Sequence, residues 1–450
     1  MDAIRVRTIT QSCTPPTLPC PTCGTPGRRK DTHTRLVRDI AFGHILFVEL
    51  TVGEYRAGCD CCKTFRSHID GIEPRAEYTN RVRDAVLDRL LDDGLSVNRL
   101  QQAMRRDFLL DLSAGFLSDC LDWKVRRTDL PEYRRWTRAN FSGTLCVDEL
   151  HLGHRTLLLA TDPVGDFPVA FALVSANDRG HMRRFLNNLK TRGFSPHVVV
   201  TDGSNLYPAV LAELCPHARH QLCVFHALKD INGHVFDALR RLRRRHASTG
   251  GRKRRRGRPS KNRRHSRTRR GPTRKEQAHF VWKNRHLIAT RPENLDGQQR
   301  RRMSRMFEYL PALRGLRAFV LRVYRLFDPE QSPHQAACRR AALVRDAGYQ
   351  ADPELAQALA MLTAEKFAKM AAYLRRPAGE RVRTNNHVER TNRRLRHFEK
   401  VRYKWRRRRT IVRFVILAMQ RWHLRRIAEE SRNEDRERRP TAPKAGKQAA

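Results

Sequence analysis

Acidic residues are scarce in this sequence. The chain of 450 residues has 46 Asp and Glu against 91 Lys and Arg, which leaves a formal net charge of +45 and an isoelectric point near 11.2. A chain with so few acidic residues to balance its basic residues is expected to bind polyanions. Nucleic acid is the leading candidate, because neutralising phosphates releases condensed counterions. A membrane surface is the weaker alternative.

Long apolar runs are also missing. The longest, such as residues 45–50, cannot span a bilayer, and the opening MDAIRVRTIT lacks the apolar region of a signal peptide. We therefore expect a cytoplasmic protein, bacterial and associated with the nucleoid. The chain is not expected to be disordered as a whole, because 40% hydrophobic residues over this length can build about three domains.

Cysteine is concentrated near the N-terminus, where residues 13–68 hold six of the eleven. Two strand-like runs, 34–40 and 45–52, lie among them with Gly43 in between, which predicts a hairpin. Disulfides are unusual in a reducing compartment, so paired cysteines at short spacing indicate metal binding or packing.

The cysteines form two C-x2-C pairs, Cys20 with Cys23 and Cys59 with Cys62. Two such pairs can place four thiolates around one structural Zn²⁺, so we predict a zinc knuckle on the hairpin. The alternative is a set of reduced thiols without metal. The two remaining cysteines of this region are expected to be bystanders, Cys13 and Cys61.

Residues 81–127 have the apolar spacing of three short helices, with a helix stop at Gly94 and N-caps at Ser96 and Ser113. This pattern predicts a helix-turn-helix, and the alternative is a purely structural helical domain. The third helix ends in basic residues that favour contact with a DNA backbone, Lys124, Arg126 and Arg127.

Residues 144–226 change to short apolar strands separated by turns, with helices expected at 179–190 and 206–214. The strand candidates are LCVDELHLG, TLLLATDPVG, FPVAFALVS, HVVVTDG and HQLCVFH. Such an order predicts a mixed sheet with flanking helices.

Residues 240–275 consist of Arg, Lys, Gly, Ser and Pro with almost no apolar side chain, which predicts a disordered basic linker. Helical periodicity returns at 280–374 and again at 388–425, and the polar C-terminal residues are expected to be frayed. The predicted divisions are 1–75 zinc knuckle, 76–130 helix-turn-helix, 140–239 first part of the core, 240–276 linker, 277–378 helical insertion, 379–427 last helices of the core and 428–450 disordered tail.

An acid ends each of two predicted strands. Asp148 follows Leu-Cys-Val, and Asp202 follows a run of valines and precedes a glycine turn. Carboxylates at the ends of adjacent strands point into one space, where two can share divalent metal ions. The alternative for either acid alone is a solvated turn residue. Glu149 is expected to point to the opposite side of its strand and not to substitute for Asp148.

A third acid should lie on a helix against the same sheet edge, and Glu389 meets that requirement. It belongs to a predicted polar stripe with Asn385, Asn392, Arg393 and Arg396, while Val388, Leu395 and Phe398 form a separate buried flank. The alternative is a surface salt bridge.

The motifs CPTCG, GCDCCKTF, VDELHLG followed by TLLLATD, VVTDGSNLYPAV, QLCVFHALKDI and NNHVERTNRRLRHFEKVRYKWRRR occur in this order. They resemble the insertion-sequence DDE transposases of the ISL-three group, with a relation to Mutator-type transposases, over nearly the whole chain up to about residue 425. The resemblance implies an α/β fold: an RNase-H-like catalytic core with a helical insertion, preceded by a zinc-knuckle hairpin and a helix-turn-helix. The basic run at 240–275 departs from the family pattern and puts the start of the insertion in doubt.

The same resemblance implies that Asp148, Asp202 and Glu389 hold two Mg²⁺ ions, or Mn²⁺. It also implies that Cys223 and His226, a Cys-x2-His signature on the strand after the second aspartate, lie near the active site. The alternative for this pair is a core strand whose histidine satisfies a backbone carbonyl.

Two further basic segments are candidates for DNA contact. In residues 399–409, arginine and lysine side chains alternate with the aromatic side chains of Tyr403 and Trp405, which suits contact with DNA phosphates and stacking on DNA bases or sugars. Arg256 and Arg258 lie in an Arg-Gly-Arg-Pro string that is similar to an AT-hook, with a solvated polybasic tether as the alternative. Outside the linker, the predicted DNA-binding residues of the C-terminal part are Arg393, Arg396, Arg402, Lys404 and Trp405.

These features predict a DNA transposase that cleaves transposon ends and transfers strands into target DNA in a metal-dependent reaction. Its expected partners are double-stranded DNA and further copies of the chain, as a homodimer or larger assembly on DNA. The alternatives are a non-catalytic zinc-knuckle and helix-turn-helix regulator or a domesticated transposase. A serine recombinase is excluded because no activated serine nucleophile is visible.

Overall fold

The computed structural model describes residues 5–61, 64–248, 271–377, 381–401 and 407–438. The chain divides into two compact units. The first contains Met1–Trp136, His151–Thr156 and Thr391–Ala450, and the second contains Thr137–Leu150 and Leu157–Arg390. Within the described residues, none of the helices has the length and apolar character needed to cross a bilayer.

The first unit begins with a sheet built on a long hairpin. Its strands are β1 (Arg5–Cys13), β2 (Thr17–Pro19), β3 (Pro26–Ala41), β4 (His44–Ala57) and β5 (Phe65–Arg66). The order is β1-β4-β3-β2, with β5 paired to β4. The predicted hairpin is confirmed, and its strands are longer than the sequence indicated. The chain reverses at Gly43, whose φ of +69° is a left-handed conformation that glycine adopts without steric cost.

Four helices follow the hairpin: α1 (Asn80–Leu91), α2 (Val97–Phe108), α3 (Ala114–Arg126) and α4 (Leu130–Ala139). The two predicted N-caps are confirmed. The Ser96 hydroxyl accepts a hydrogen bond from the Arg99 backbone N–H, and Ser113 accepts one from Phe116. These serines begin α2 and α3 where the local sequence predicts.

The second unit contains the predicted mixed sheet. Its strands are β6 (Thr144–Leu152), β7 (Arg155–Asp162), β8 (Phe167–Val174), β9 (Val198–Thr201) and β10 (Arg219–Leu222), in the order β10-β9-β6-β7-β8. The pairs β6 with β9 and β9 with β10 are parallel. Helices α5 (Arg179–Thr191) and α6 (Tyr207–Leu214) occur where the sequence predicts them.

The rest of the described chain is helical. The helices are α7 (Val224–Ser248), α8 (Arg274–Lys283), α9 (Gly297–Tyr309), α10 (Leu313–Arg325), α11 (Pro333–Val344), α12 (Ala347–Gln350), α13 (Pro353–Ala360), α14 (Ala364–Met370), α15 (Asn386–Val401) and α16 (Arg408–Arg438), with short 3-10 turns at Arg285–Ile288, Pro292–Asn294 and Ala372–Arg375. Helices α8 to α14 share one apolar core with α7, which contributes Ile231, Val235 and Leu239.

Three predicted boundaries are corrected. Strand β10 ends at Leu222 and helix α7 begins at Val224, so HQLCVFH is not a single strand. The reason is that Val224, Ala227 and Ile231 recur at helical spacing and are buried in the helical core.

Parts of the predicted linker and of the predicted tail are helical. Helix α7 continues through residues 240–248, because arginine is a good helix former and Leu242 packs against the helical core. Residues 249–270 of that predicted linker lie outside the described part of the chain. Likewise, α16 extends to Arg438 through a stretch rich in Glu and Arg, which favour helix, and residues 439–450 lie outside the described part.

Candidate functional site

The parallel pairing of β6 and β9 aligns two of the predicted catalytic acids. Thr144 is paired with Val198 and Cys146 with Val200. Continuing this register by two residues brings Asp148 level with Asp202, and equal positions on parallel strands face the same side. Asp202 directly follows β9 as predicted, whereas Asp148 lies inside β6, which continues to Leu152.

Glu149 belongs to the same acidic group, contrary to the prediction that it points away. The carboxylate oxygens of Asp148, Glu149 and Asp202 lie within 4.8 Å of one another. Strand alternation separates the Cβ directions of neighbouring residues but not the ends of long side chains. Burial raises the pKa of Glu149 to about 7, and the charges of Asp202 and Asp148 add to the rise. Three partly buried carboxyl groups in one space fit an oxygen-liganded divalent cation such as Mg²⁺.

Glu389 lies in a second group with Cys223 and His226, whose ligand atoms are also within 4.8 Å of one another. His226 Nδ1 is 3.7 Å from Glu389 Oε1. Both atoms are buried, and neither has a hydrogen-bond partner among the described residues. The Cys223 side chain raises the pKa of His226 to about 9, and the charges of Glu389 and Asp202 add to this against the opposing effect of burial. The pKa of His226 is therefore raised by acids of both groups.

Asn385 ties three segments of the second unit together. Its side-chain amide donates a hydrogen bond of 3.0 Å to the carbonyl oxygen of Val147 on β6, and its backbone N–H donates one of 3.2 Å to Cys223 Sγ. Its carbonyl oxygen accepts the Glu389 N–H in the first turn of α15. The sequence placed Asn385 on a polar helical stripe, but it precedes α15 and is fully buried.

Other members of the predicted polar stripe also differ in their exposure to solvent. Asn392 is buried, while Arg393 and Arg396 are exposed. The apolar flank is as predicted, with Val388, Leu395 and Phe398 all buried. Sequence spacing places residues on a helix face but does not show which face the neighbouring elements cover.

A second tie holds the start of α15. His387 Nε2 lies 2.8 Å from Asp166 Oδ1, and the Arg390 guanidinium lies 3.4 Å from the same oxygen. His387 is buried, and burial lowers its pKa while Asp166 opposes the change. The sequence gives no signal for this contact, because nothing local links Asp166 to a helix more than two hundred residues later.

The N-terminal cysteines form a compact cluster in the first unit. Cys61 Sγ lies 3.5 Å from that of Cys20 and 3.2 Å from those of Cys23 and Cys59. Cys61, predicted to be a bystander, is thus the fourth thiol of the group, and Cys62 lies outside the described residues. Neighbouring backbone N–H groups, chiefly that of Cys23, lower the pKa of Cys20 to about 6. Hydrogen bonds with Thr25 also lower the pKa of Cys23. Four thiols at this spacing, two of them favoured as thiolates, fit a tetrahedral Zn²⁺.

The predicted DNA-contacting residues of α3 differ in their surroundings. Lys124 Nζ is 3.3 Å from Asp84, and Arg127 is 2.7 Å from Glu73. Arg126 is exposed and has no ion pair within the described residues. Five other predicted DNA-binding residues lie outside the described residues: Arg256, Arg258, Arg402, Lys404 and Trp405.

Comparison with known proteins identifies the family. A family model described as transposase, that of the ISL-three DDE transposases, matches residues 145–411. No curated protein matches the chain. Among solved structures, the Drosophila P element transposase strand transfer complex aligns with a TM-score of 0.40 and 10% identity, covering 79% of this chain and 93% of that chain. Because the family match spans more than half of the chain and includes the acids of both groups, the chain belongs to the ISL-three family of DDE transposases and is a DNA transposase.

Proposed function

We propose that the acidic groups of the second unit form the active site at which this transposase cleaves transposon-end DNA and joins the end to target DNA. The observation that carries the proposal is the meeting of Asp148 and Asp202 at one register position of two parallel strands, inside the family match. The sheet order β10-β9-β6-β7-β8 supports an RNase-H-like core. The relation to Mutator-type transposases remains a prediction from the motifs.

Asp148, Asp202 and Glu389 are the proposed ligands of two Mg²⁺ or Mn²⁺ ions. Bound divalent ions would supply activation of the attacking oxygen and stabilisation of the leaving oxygen. The three carboxylates provide hard oxygen donors and hold the negative charge that binds the cations. Asn385 supports the assignment of Glu389, because it connects the first turn of α15 to the residue before Asp148.

His226 and Cys223 act on Glu389 in this proposal rather than on DNA. With its pKa raised to about 9, His226 is protonated at neutral pH, and its positive charge lies 3.7 Å from the Glu389 carboxylate. Such a charge orients the carboxylate and offsets its burial.

The cysteine cluster is proposed to hold one structural Zn²⁺ that stabilises the N-terminal hairpin, since a site closed by four thiolates has no open position for catalysis.

Helices α1 to α3 are proposed as a helix-turn-helix that contacts DNA. Two exposed arginines on α15, Arg393 and Arg396, are proposed to contact DNA phosphates. Assembly as a homodimer or larger complex on DNA is part of the proposal.

The test is a strand-transfer reaction between a labelled duplex carrying the element's terminal inverted repeat and a supercoiled plasmid. We expect cleavage and joined products with Mg²⁺ or Mn²⁺ and none with EDTA or with Ca²⁺ alone. Joined products at full yield in EDTA would overturn the metal-dependent mechanism. DNA binding without any cleavage under all metal conditions would favour a domesticated, binding-only protein.

A further inference from the structure

The helical part of the second unit carries an unusual group of arginines around one indole ring. Trp282, near the end of α8, has three guanidinium groups over its ring, with the Arg285, Arg243 and Arg240 Cζ atoms 4.4, 4.8 and 5.6 Å from the ring centroid. Each lies within the distance at which a cation is attracted to an aromatic face. We call Trp282 with these three arginines the arginine–tryptophan cluster.

The positive charge of the cluster is mostly uncompensated. Arg240 forms an ion pair with Asp237. Among the residues that the structure describes, no carboxylate pairs with Arg243 or Arg285. Three like charges gathered on one ring repel one another unless an anion approaches them. The cluster therefore carries the charge of a site for an anionic ligand.

Neighbouring contacts hold helix α7 and Arg285 in place. Arg241, between Arg240 and Arg243 on α7, forms ion pairs with Asp352, the N-cap of α13, and with Glu354 in its first turn, the second at 2.8 Å. At the end of the same helix, His246 Nε2 lies 2.8 Å from Gln277 Oε1 on α8. Arg285 is fixed by a hydrogen bond of 2.9 Å from Nη1 to the Trp282 carbonyl oxygen. The helix that carries Arg240 and Arg243 is thus held by its neighbours, and Arg285 is itself fixed before any ligand arrives, which lowers the entropy cost of binding.

We propose that the arginine–tryptophan cluster binds the phosphate backbone of duplex DNA, through residues that belong neither to the proposed active site nor to the proposed helix-turn-helix. Stacking on the indole engages the face of a guanidinium group rather than its N–H edge, and planar forks of N–H donors match phosphate oxygens. The nearby exposed Arg244 and Lys283 extend the positive surface. The inference rests on the proposed action on DNA and adds a residue-level site in the helical part.

The test is fluorescence anisotropy of a labelled duplex of unrelated sequence with the full-length protein, over a series of KCl concentrations and without divalent ions. The double variant Arg243→Ala with Arg285→Ala should bind about tenfold or more weakly at low salt. Its slope of log affinity against log salt should be smaller by up to about 2, because each lost phosphate contact removes about 0.9.

Two variants sharpen the result. Arg243→Lys with Arg285→Lys keeps both charges and the stems, and should still lose affinity severalfold because an ammonium group cannot replace the stacked fork. The matched control is Arg314→Ala. Arg314 is an exposed arginine of α10 that lies over the ring of Phe307, and its removal should change DNA affinity little.

The proposal is overturned if the alanine pair binds with wild-type affinity and slope, or if Arg314→Ala loses as much affinity per charge removed. It is also overturned if the alanine pair fails to fold and the lysine pair binds like wild type. Because the measurement needs no metal and the variants leave the acids intact, failure here is separate from failure of the cleavage assay, which alone tests the proposed active site.

Discussion

The side-chain amide of Asn385 donates a hydrogen bond of 3.0 Å to the carbonyl oxygen of Val147, the residue immediately before Asp148. Asn385 and Val147 are both fully buried. A bond between two buried groups 238 positions apart sets the start of α15 against the middle of β6. It therefore fixes the helix that carries Glu389 to the strand that carries Asp148.

Asn385→Ala should slow DNA cleavage without preventing DNA binding. The change leaves the Val147 carbonyl buried without this donor, at a cost of about 1–3 kcal/mol in stability. It also frees Glu389 to shift, and a small misplacement of a catalytic group can slow a reaction by up to about 100-fold. Single-turnover cleavage and urea denaturation measure the two effects. The control is Asn386→Ala, the exposed neighbour; equal rates for the two variants would contradict the positioning role.

Replacing any of Asp148, Asp202 or Glu389 by Ala should reduce Mg²⁺-dependent cleavage by about 100-fold or more, since metal ligands stabilise charge that develops during transfer. DNA affinity, measured by anisotropy, should remain close to wild type. Glu213→Ala, which removes an exposed acid of α6 paired with Arg183, should cleave normally. Undiminished cleavage by Asp202→Ala would contradict the assignment of Asp202 as a metal ligand.

The third acidic ligand can be identified by comparing Glu389→Gln with Glu149→Gln. We expect the first variant to lose cleavage and the second to keep most of it, because burial and the nearby aspartates raise the pKa of Glu149 to about 7, which leaves its carboxyl group partly protonated at neutral pH. Cleavage rates measured across a Mg²⁺ titration would show the difference. The reverse result would make Glu149, grouped with the two aspartates, the third ligand.

Metal analysis should find about one Zn²⁺ per chain, and the cysteine variants should show which thiols hold it. Cys20→Ser, Cys59→Ser and Cys61→Ser should each lose the zinc and destabilise the N-terminal hairpin, because metal-binding energy is folding energy in such sites. Cys13→Ser should retain it. Zinc loss by Cys62→Ser together with full retention by Cys61→Ser would restore the spacing predicted from the sequence.

Deleting residues 249–270 should weaken DNA binding and flatten its dependence on salt, since the deleted segment is dense in Arg and Lys. Cleavage at low salt should persist, because no proposed metal ligand lies in the deletion. Competition with A·T-rich and G·C-rich duplexes would separate the two interpretations of this segment. A selective loss of A·T preference favours the AT-hook, whereas unchanged affinity and slope would make the segment a spacer.

Asp107 should make the first unit sensitive to acid. The carboxylate is buried and lies 2.7 Å from both Arg106 and Arg89, and these partners, Arg106 first, hold its pKa below the ordinary value of 3.8. A lowered pKa in the folded state means that the stabilisation is complete above 3.8 and is lost as pH falls through the folded-state value.

Asp107→Asn should therefore cost about 1.5–3 kcal/mol at neutral pH and reduce the loss of stability below pH 3.8. Urea denaturation at several pH values measures both. Asp111→Asn, at an exposed ion pair with Arg105, should change stability little. An acid dependence identical in wild type and Asp107→Asn would contradict the role.

The sequence by itself determined the features that depend on local chemistry. The excess of basic residues indicated a polyanion partner, the cysteine pairs indicated a metal cluster, and Ser96 and Ser113 marked helix starts because a hydroxyl caps the backbone only a few residues away. The apolar spacing of α10 and the valine run of β9 predicted helix and strand for the same reason: side-chain periodicity is set within one element.

Only the tertiary structure decided which of these residues meet. The register of β6 against β9 aligned Asp148 with Asp202. The fold of the hairpin brought Cys61, predicted to be a bystander, to the other thiols, and the side-chain conformation of Glu149 placed its carboxyl group beside the two aspartates. Asn385 donates a hydrogen bond to Val147, which lies 238 positions earlier in the chain. These relationships depend on register, rotamer and packing between segments far apart in the chain, and no local pattern of residues encodes them.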